Sequence, residues 1–93
     1  MPRQTTIALS PGVWTQLTDA NASVVVVVNT TYEQLWIMAT VGAVAPTTLN
    51  GAYPYERLRG DRLVLADMFP GVSGANRLYG FCLGAGIVSV SHA

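Results

Sequence analysis

The sequence contains no lysine and few charged residues of any kind. Charged side chains make up 11% of its 93 residues, against about 25% in ordinary soluble domains. Five arginines balance five acids, so the formal net charge is zero. Nucleic-acid binding depends on a clustered basic excess that displaces counterions from the phosphates. The composition therefore argues against a nucleic-acid partner.

Histidine and cysteine occur once each. His92 lies next to the last residue, where chains are usually loosely held, so we expect no catalytic base there. Cys82 allows no intrachain disulfide, and its apolar neighbours predict a small buried hydrophobe. One histidine and one cysteine cannot complete a tetrahedral zinc shell, and the acids lack the spacing of a calcium loop. We therefore predict no catalytic residues, no metal and no cofactor, and a protein that is not an enzyme.

Long membrane-spanning runs are also missing. The longest unbroken apolar run is far shorter than the roughly 20 residues that cross a bilayer. The opening residues, MPRQTTIALS, contain no apolar core of signal-peptide length. We therefore expect a protein that is made in the cytoplasm and has no membrane partner.

Apolar residues are abundant, at 51% of the chain, and they include five consecutive valines, Val24 to Val28. A half-buried strand alternates apolar and polar residues, because neighbouring side chains point to opposite faces of the sheet. This run is apolar on both faces, and a domain of this size buries only roughly 60–65% of its unfolded surface. We therefore predict that one face of the strand packs against another chain, either in a homo-oligomer or as a subunit bound to a particle.

Turn signals at regular intervals predict an all-β fold. Pro11-Gly12, Asn50-Gly51 and Gly84-Ala85-Gly86 separate short segments that are rich in β-branched and aromatic residues. The connections are too short for helical crossovers, which argues against a parallel sheet covered by helices. We predict one domain over residues 1–93: an antiparallel, jelly-roll-like β-sandwich of six to eight short strands. LADMF is predicted to add at most one helical turn.

Local patterns also predict how the strands connect. TTIALS and VWTQLT are expected to form a hairpin or a strand-turn-strand corner, and RLYGFCL and IVSVSHA a second hairpin. The valine strand and LWIMATV, both apolar on two faces, are expected to lie side by side at the centre of a sheet. Asn29-Thr30-Thr31 and Arg59-Gly60-Asp61 are interpreted as turns.

Seven residues form the candidate interface. Either the even-numbered valines, Val24, Val26 and Val28, or their odd-numbered partners face outward, because a shift of one residue in register exchanges them. The other four are predicted to lie on loops, and both residue types are enriched in interfaces. These four are Tyr53, Tyr55, Arg57 and Arg59. Most other aromatic residues are expected to pack in the core.

Four segments together resemble one family. In order along the chain, LSPGVWTQLTDA, GAVAPT, LADMFPG and VSVSHA resemble stretches of small head-associated proteins of tailed bacteriophages and phage-like gene transfer particles. The resemblance implies a β-sandwich subunit that decorates capsomers or forms the base of a head spike or fibre. It implies three partners: the chain itself as a homotrimer or larger ring, the major capsid protein, and a fibre protein. The implied location is the capsid surface of the virion.

These observations predict a structural virion protein that binds the outer capsid surface as a homo-oligomer. Two alternatives stay open. One is the base or adaptor of a head spike or fibre. The other is a small carbohydrate-binding module, for which Tyr55 beside Glu56 is the one aromatic residue next to an acid in a predicted loop.

Overall fold

Eight antiparallel strands form two four-stranded sheets in the computed structural model, which describes residues 3–18, 24–30, 34–42, 45–47, 52–56, 60–69, 71–84 and 86–92. The strands are β1 (Arg3–Leu9), β2 (Thr15–Gln16), β3 (Val24–Asn29), β4 (Leu35–Thr40), β5 (Tyr53–Tyr55), β6 (Gly60–Val64), β7 (Arg77–Phe81) and β8 (Gly86–His92). A single helical turn, α1 (Leu65–Met68), follows β6. The predicted all-β sandwich with up to eight strands and a helical turn at LADMF is confirmed.

The strand order is that of a jelly roll. One sheet has the order β1-β8-β3-β6 and is called the valine sheet below. The other has the order β2-β7-β4-β5 and is called the aromatic sheet. β1 pairs with β8, β2 with β7, β3 with β6 and β4 with β5, so the chain forms one long hairpin whose two arms wrap together around the core.

The core lies between the two sheets and takes alternate residues from each strand. In β3, Val25 and Val27 are fully buried, and in β4, Leu35 and Ile37 are fully buried. Burial of each such side chain contributes about 1.5–3 kcal/mol, which makes this layer the main source of stability. Other fully buried side chains of the same cluster are Leu17, Leu63, Leu65, Leu78, Cys82 and Val88.

The predicted second hairpin is wrong. β7 and β8 lie in different sheets, so the residues between them form a corner. β1 and β2 also lie in different sheets. Of the two connections predicted for them, a hairpin or a corner, the corner is therefore correct. The two corners are joined by a hydrogen bond in which the Gly12 N–H donates to the Cys82 carbonyl oxygen at 2.9 Å. Gly12 has φ 69°, a left-handed conformation that glycine adopts at little cost.

The valine strand and β4 do not lie side by side. β3 is an interior strand of the valine sheet, between β8 and β6, and β4 is an interior strand of the aromatic sheet, between β7 and β5. The prediction is wrong because the chain crosses from one sheet to the other between consecutive strands. Both strands are nevertheless central, and each has paired neighbours on its two sides.

The interpretation of Arg59-Gly60-Asp61 as a turn is wrong for its last two residues. Gly60 and Asp61 belong to β6, where they lie opposite Val28 and Val27. A β-carbon placed on Gly60 would lie 2.8 Å from Val28 Cγ2, so only glycine lets the two strands approach this closely.

We expect Gly60→Ala to lower the free energy of unfolding by about 1–2 kcal/mol, because the β-branched Val28 has few rotamers with which to avoid the new methyl group. Urea denaturation of the two purified proteins measures the difference. Gly71→Ala is the matched control, since a β-carbon at Gly71 has no neighbour within 4 Å. Equal losses in the two variants would contradict the predicted clash.

Candidate interaction surfaces

The outer face of the valine sheet carries the even-numbered valines of β3. Val25 and Val27 point into the core, so Val24, Val26 and Val28 point away from it, and Val26 is 41% exposed. Of the two valine sets that the sequence left open, the even-numbered one therefore faces outward. Three apolar side chains in a row on the outer face are the feature that a solitary domain has least reason to expose.

Small hydroxyl residues lie beside this row. In the register of β3 and β8, Val28 is opposite Ser89 and Val26 is opposite Ser91. Paired residues share a face of the sheet, so both serines point outward next to the valines. On the other side of the row, Val26 is opposite Arg62, which is exposed on the edge strand β6.

The contrast in side-chain size produces an open groove along β8. The groove has a volume of about 380 Å³ and is lined by Thr6, Ser89, Ser91, Val26 and Val28, together with parts of their strand neighbours. Its walls are uncharged, and its polar groups are hydroxyls. The valine row thus forms a ridge, and the serines beside it form the floor of a groove.

A second apolar surface crosses the outer face of the aromatic sheet. Trp36 on β4 lies opposite Phe81 on β7 and Pro54 on β5. The Trp14 ring packs against Phe81 with ring centroids 5.2 Å apart and an interplanar angle of 47°. These four residues, Pro54, Trp36, Phe81 and Trp14, form a row here called the aromatic band, in which the three aromatic rings are half-buried and Pro54 is exposed.

The sequence prediction placed most aromatic residues in the core and missed the aromatic band. In β4, the odd-numbered and the even-numbered residues are both largely apolar. The pattern therefore does not reveal whether Leu35, Ile37 and Ala39 or the residues between them point inward. Tyr79, in the next row, is buried although it lies on the outer face by register with Met38. Its hydroxyl donates to Gln16 Oε1 at 3.1 Å, which gives the phenol a polar partner.

A third apolar surface lies at one end of the sandwich. Leu83 is 71% exposed and Val13 is 52% exposed. They lie in the two corners that the hydrogen bond from Gly12 to Cys82 holds together. This pair, here called the apolar end, has no charged residue among its described chain neighbours at 10–16 and 81–84.

The predicted loop position of Tyr53 and Tyr55 is wrong, and the part of the half-buried Tyr53 in an interface stays a prediction. Tyr53 and Tyr55 belong to β5, and their partners in the register are Ile37 and Leu35, which point into the core. Tyr55 is accordingly 1% exposed, and Tyr53 stacks on Phe69 with ring centroids 4.6 Å apart. A three-residue strand gave too short an alternation to be recognised in the sequence.

The burial of Tyr55 also removes the aromatic–acid pair on which the carbohydrate-binding alternative relied. Glu56 is exposed while its neighbour is not. Arg57 and Arg59 lie outside the described residues, and their part in an interface stays a prediction.

His92 is buried, contrary to the expectation of a loosely held residue. It is 6% exposed because β8 runs between β1 and β3, where His92 is opposite Arg3 on one side and Val25 on the other. Cys82 is fully buried, as predicted.

Within the described ranges there is no group of three or more His, Cys, Asp or Glu residues placed to hold a metal ion. In the same ranges, no helix is long and apolar enough to cross a membrane.

Comparison with known proteins does not assign the chain to a family. No family model, curated protein or solved structure matches it. The resemblance to phage head proteins stays a prediction.

Proposed function

We propose that the chain is a structural subunit of a virion that binds the outer surface of the capsid as a homo-oligomer. The observation that carries the proposal is the outward row formed by Val24, Val26 and Val28 at the centre of a four-stranded sheet. An isolated subunit leaves this row in water, whereas a subunit in an assembly buries it. The resemblance to phage head proteins supplies the kind of assembly.

The energetics favour repeated contacts. Removal of apolar surface from water contributes about 25 cal/mol per Å², so a patch of a few side chains gives a modest affinity for one contact. Oligomerisation links several such patches, and the second and later contacts then form at a high effective concentration. The formal net charge of zero keeps electrostatic repulsion between copies small.

We assign the self-contact to the valine sheet and the contact with the capsid to the apolar end. Val13 and Leu83 project from the corners of the sandwich, where a subunit reaches a neighbouring surface without hindrance from its own sheets. The contact partner would be an apolar patch of the major capsid protein, and the opposite end of the sandwich would be free to hold a fibre protein.

The experiment is co-sedimentation with particles. The chain, carrying an affinity tag, is produced during particle formation, and gradient-purified particles are analysed by quantitative mass spectrometry. We expect a fixed copy ratio to the major capsid protein, and at least tenfold less bound protein for Leu83→Asp because the new charge cannot be desolvated at the contact. Val41→Asp is the matched control, an exposed valine at the other end of the sandwich. Absence of the unaltered chain from purified particles would reject the proposal.

The carbohydrate-binding alternative rests on the aromatic band. Trp14 and Trp36 are half-buried on an outer face, and Gln16, whose amide oxygen accepts from the Tyr79 hydroxyl, lies opposite Tyr79 in the register. The 47° tilt between Trp14 and Phe81 argues against a flat platform for a sugar ring. Binding on a glycan array that is abolished by Trp36→Ala would establish this alternative in place of the structural function.

A further inference from the structure

We propose that two copies of the chain associate through the outer faces of their valine sheets, about a twofold axis that runs parallel to β3 and β8. The valine ridge of each copy fills the serine groove of the other. This inference rests on the homo-oligomer proposed above, and it identifies the smallest unit of that homo-oligomer as a pair.

The ridge and the groove are complementary in shape. The ridge on β3 and the groove on β8 belong to neighbouring strands, which lie about 4.8 Å apart. Val26 and Val28 stand beside Ser91 and Ser89 in the register. A projecting row and a recess of matching length therefore lie side by side on the same face, as a self-complementary contact requires.

A twofold axis parallel to the strands brings each ridge over the groove of the other copy. A twofold axis between β3 and β8, parallel to both, exchanges the two rows and keeps residues at the same height along the strands. Val26 of each copy is then placed over Ser91 of the second copy. A twofold axis across the strands would instead place ridge on ridge and leave both grooves unfilled. Two sheets in aligned packing keep their strand directions within about 30° of each other, and a twofold axis parallel to the strands meets this condition.

The charge distribution on this face also fits self-association. A twofold contact brings each charged group towards its own symmetry mate, so a self-associating face should be neutral near the axis. Among the described side chains of this face, Arg62 is the charged one, and it lies on the edge strand β6. From strand spacing, the two Arg62 positions are about 14 Å or more apart, beyond a Debye length of about 8 Å.

The face is also large enough for a stable interface. The broad dimensions of the sandwich are 31 and 27 Å. A face of this size can supply about 800 Å², which is what each partner contributes to a stable interface of standard size. A smaller occupant, such as a single side chain or a short loop, would leave most of the ridge in water.

The mass of the purified chain in solution tests the pair directly. Light scattering at micromolar concentration should give twice the monomer mass. We expect Val26→Asp to raise the dissociation constant at least a hundredfold and to give a monomer with an unchanged circular dichroism spectrum. Val41→Asp, which places the same charge on an exposed valine away from the face, should remain a pair. A monomer, a trimer or a ring without pairs for the unaltered chain would overturn the proposal, as would a pair that survives Val26→Asp.

Thiol crosslinking tests the geometry. Two single variants, Val26→Cys and Ser91→Cys, are mixed and treated with a short bifunctional thiol reagent, because facing sheets lie about 10 Å apart and a direct disulfide spans Cα atoms at most about 7 Å apart. The expected product is a covalent pair joining one chain of each kind, and each variant alone should give at least tenfold less. Cys82 is buried and does not compete. Val41→Cys mixed with Ser91→Cys is the control and should remain uncrosslinked. Equal trapping in the control, or preferential coupling of Val26→Cys to itself, would overturn the ridge-into-groove arrangement.

These outcomes separate the pair from the proposed function. Particles that carry the chain although it is a monomer in solution would overturn the pair and leave the virion function standing. A chain that forms the twofold pair in solution but is absent from purified particles would overturn the virion function and leave the pair standing.

Discussion

Val27→Asp should prevent folding, whereas Val26→Asp should leave the fold intact. The two residues are neighbours in the same run of valines, but Val27 is fully buried and Val26 is 41% exposed. An aspartate at position 27 would place a carboxylate in the apolar layer between the sheets. Burial of an unpaired charge costs several kcal/mol, which is comparable to the 5–15 kcal/mol that stabilises a typical domain.

Circular dichroism and thermal unfolding of both variants measure this difference. Val27→Asp should give no cooperative transition at neutral pH. In the dissociated subunit, Val26→Asp should cost at most about 1 kcal/mol, because aspartate is merely a poor strand former at an exposed position, and loss of the proposed pair lowers the apparent stability further. Val27→Thr is a useful intermediate, since it keeps the shape and adds a neutral hydroxyl. A cooperative transition for Val27→Asp near that of the unaltered protein would show that the odd-numbered valines are not the buried set.

Asn29→Ala should lower the free energy of unfolding by about 2–4 kcal/mol. Asn29 is fully buried at the end of β3, and its Nδ2 donates to the Tyr55 carbonyl at 3.0 Å and to the Glu56 carbonyl at 3.1 Å. These hydrogen bonds join the valine sheet to the end of β5 in the aromatic sheet. The alanine variant would leave two carbonyl groups without this donor, and a buried polar group that loses its partner costs about 1–3 kcal/mol.

Urea denaturation gives the change in free energy, and the midpoint of thermal unfolding should fall by about 10–20 °C. Asn76→Ala is the matched control. Asn76 Oδ1 accepts one hydrogen bond, at 2.7 Å from the Gly42 N–H, and the residue is partly exposed, so water can replace the lost group. We expect a loss below about 1 kcal/mol there. If Asn29→Ala and Asn76→Ala destabilise the protein equally, Asn29 is not a link between the sheets.

The sequence alone indicated the fold class and the presence of an unpartnered apolar face. Alternation in IVSVSH correctly separated the inward Val88 and Val90 from the outward serines, and LADMF correctly predicted the one helical turn. Five adjacent valines predicted an apolar strand with two apolar faces. These features are local, because alternation and turn chemistry depend on residues that are close together along the chain.

Other features depended on tertiary structure. Which valines face outward is decided by the register of β3 against β6 and β8, and a register involves residues more than thirty positions apart. The separation of β3 and β4 into opposite sheets follows from the wrapping of the long hairpin, which no local pattern records. The role of Asn29 also depends on tertiary structure. A polar residue before two threonines is typical of a turn, and its role in linking the sheets exists because β5 ends beside it.

The aromatic band and the groove on β8 show the physical reason most clearly. Trp14 directly precedes β2, Phe81 lies on β7 and Trp36 lies on β4, and the three residues meet because β2, β7 and β4 are neighbours in one sheet. The groove exists because small residues on β8 lie beside branched residues on β3. Composition determines how much apolar surface the chain possesses, whereas strand order and register determine where that surface lies and what can cover it.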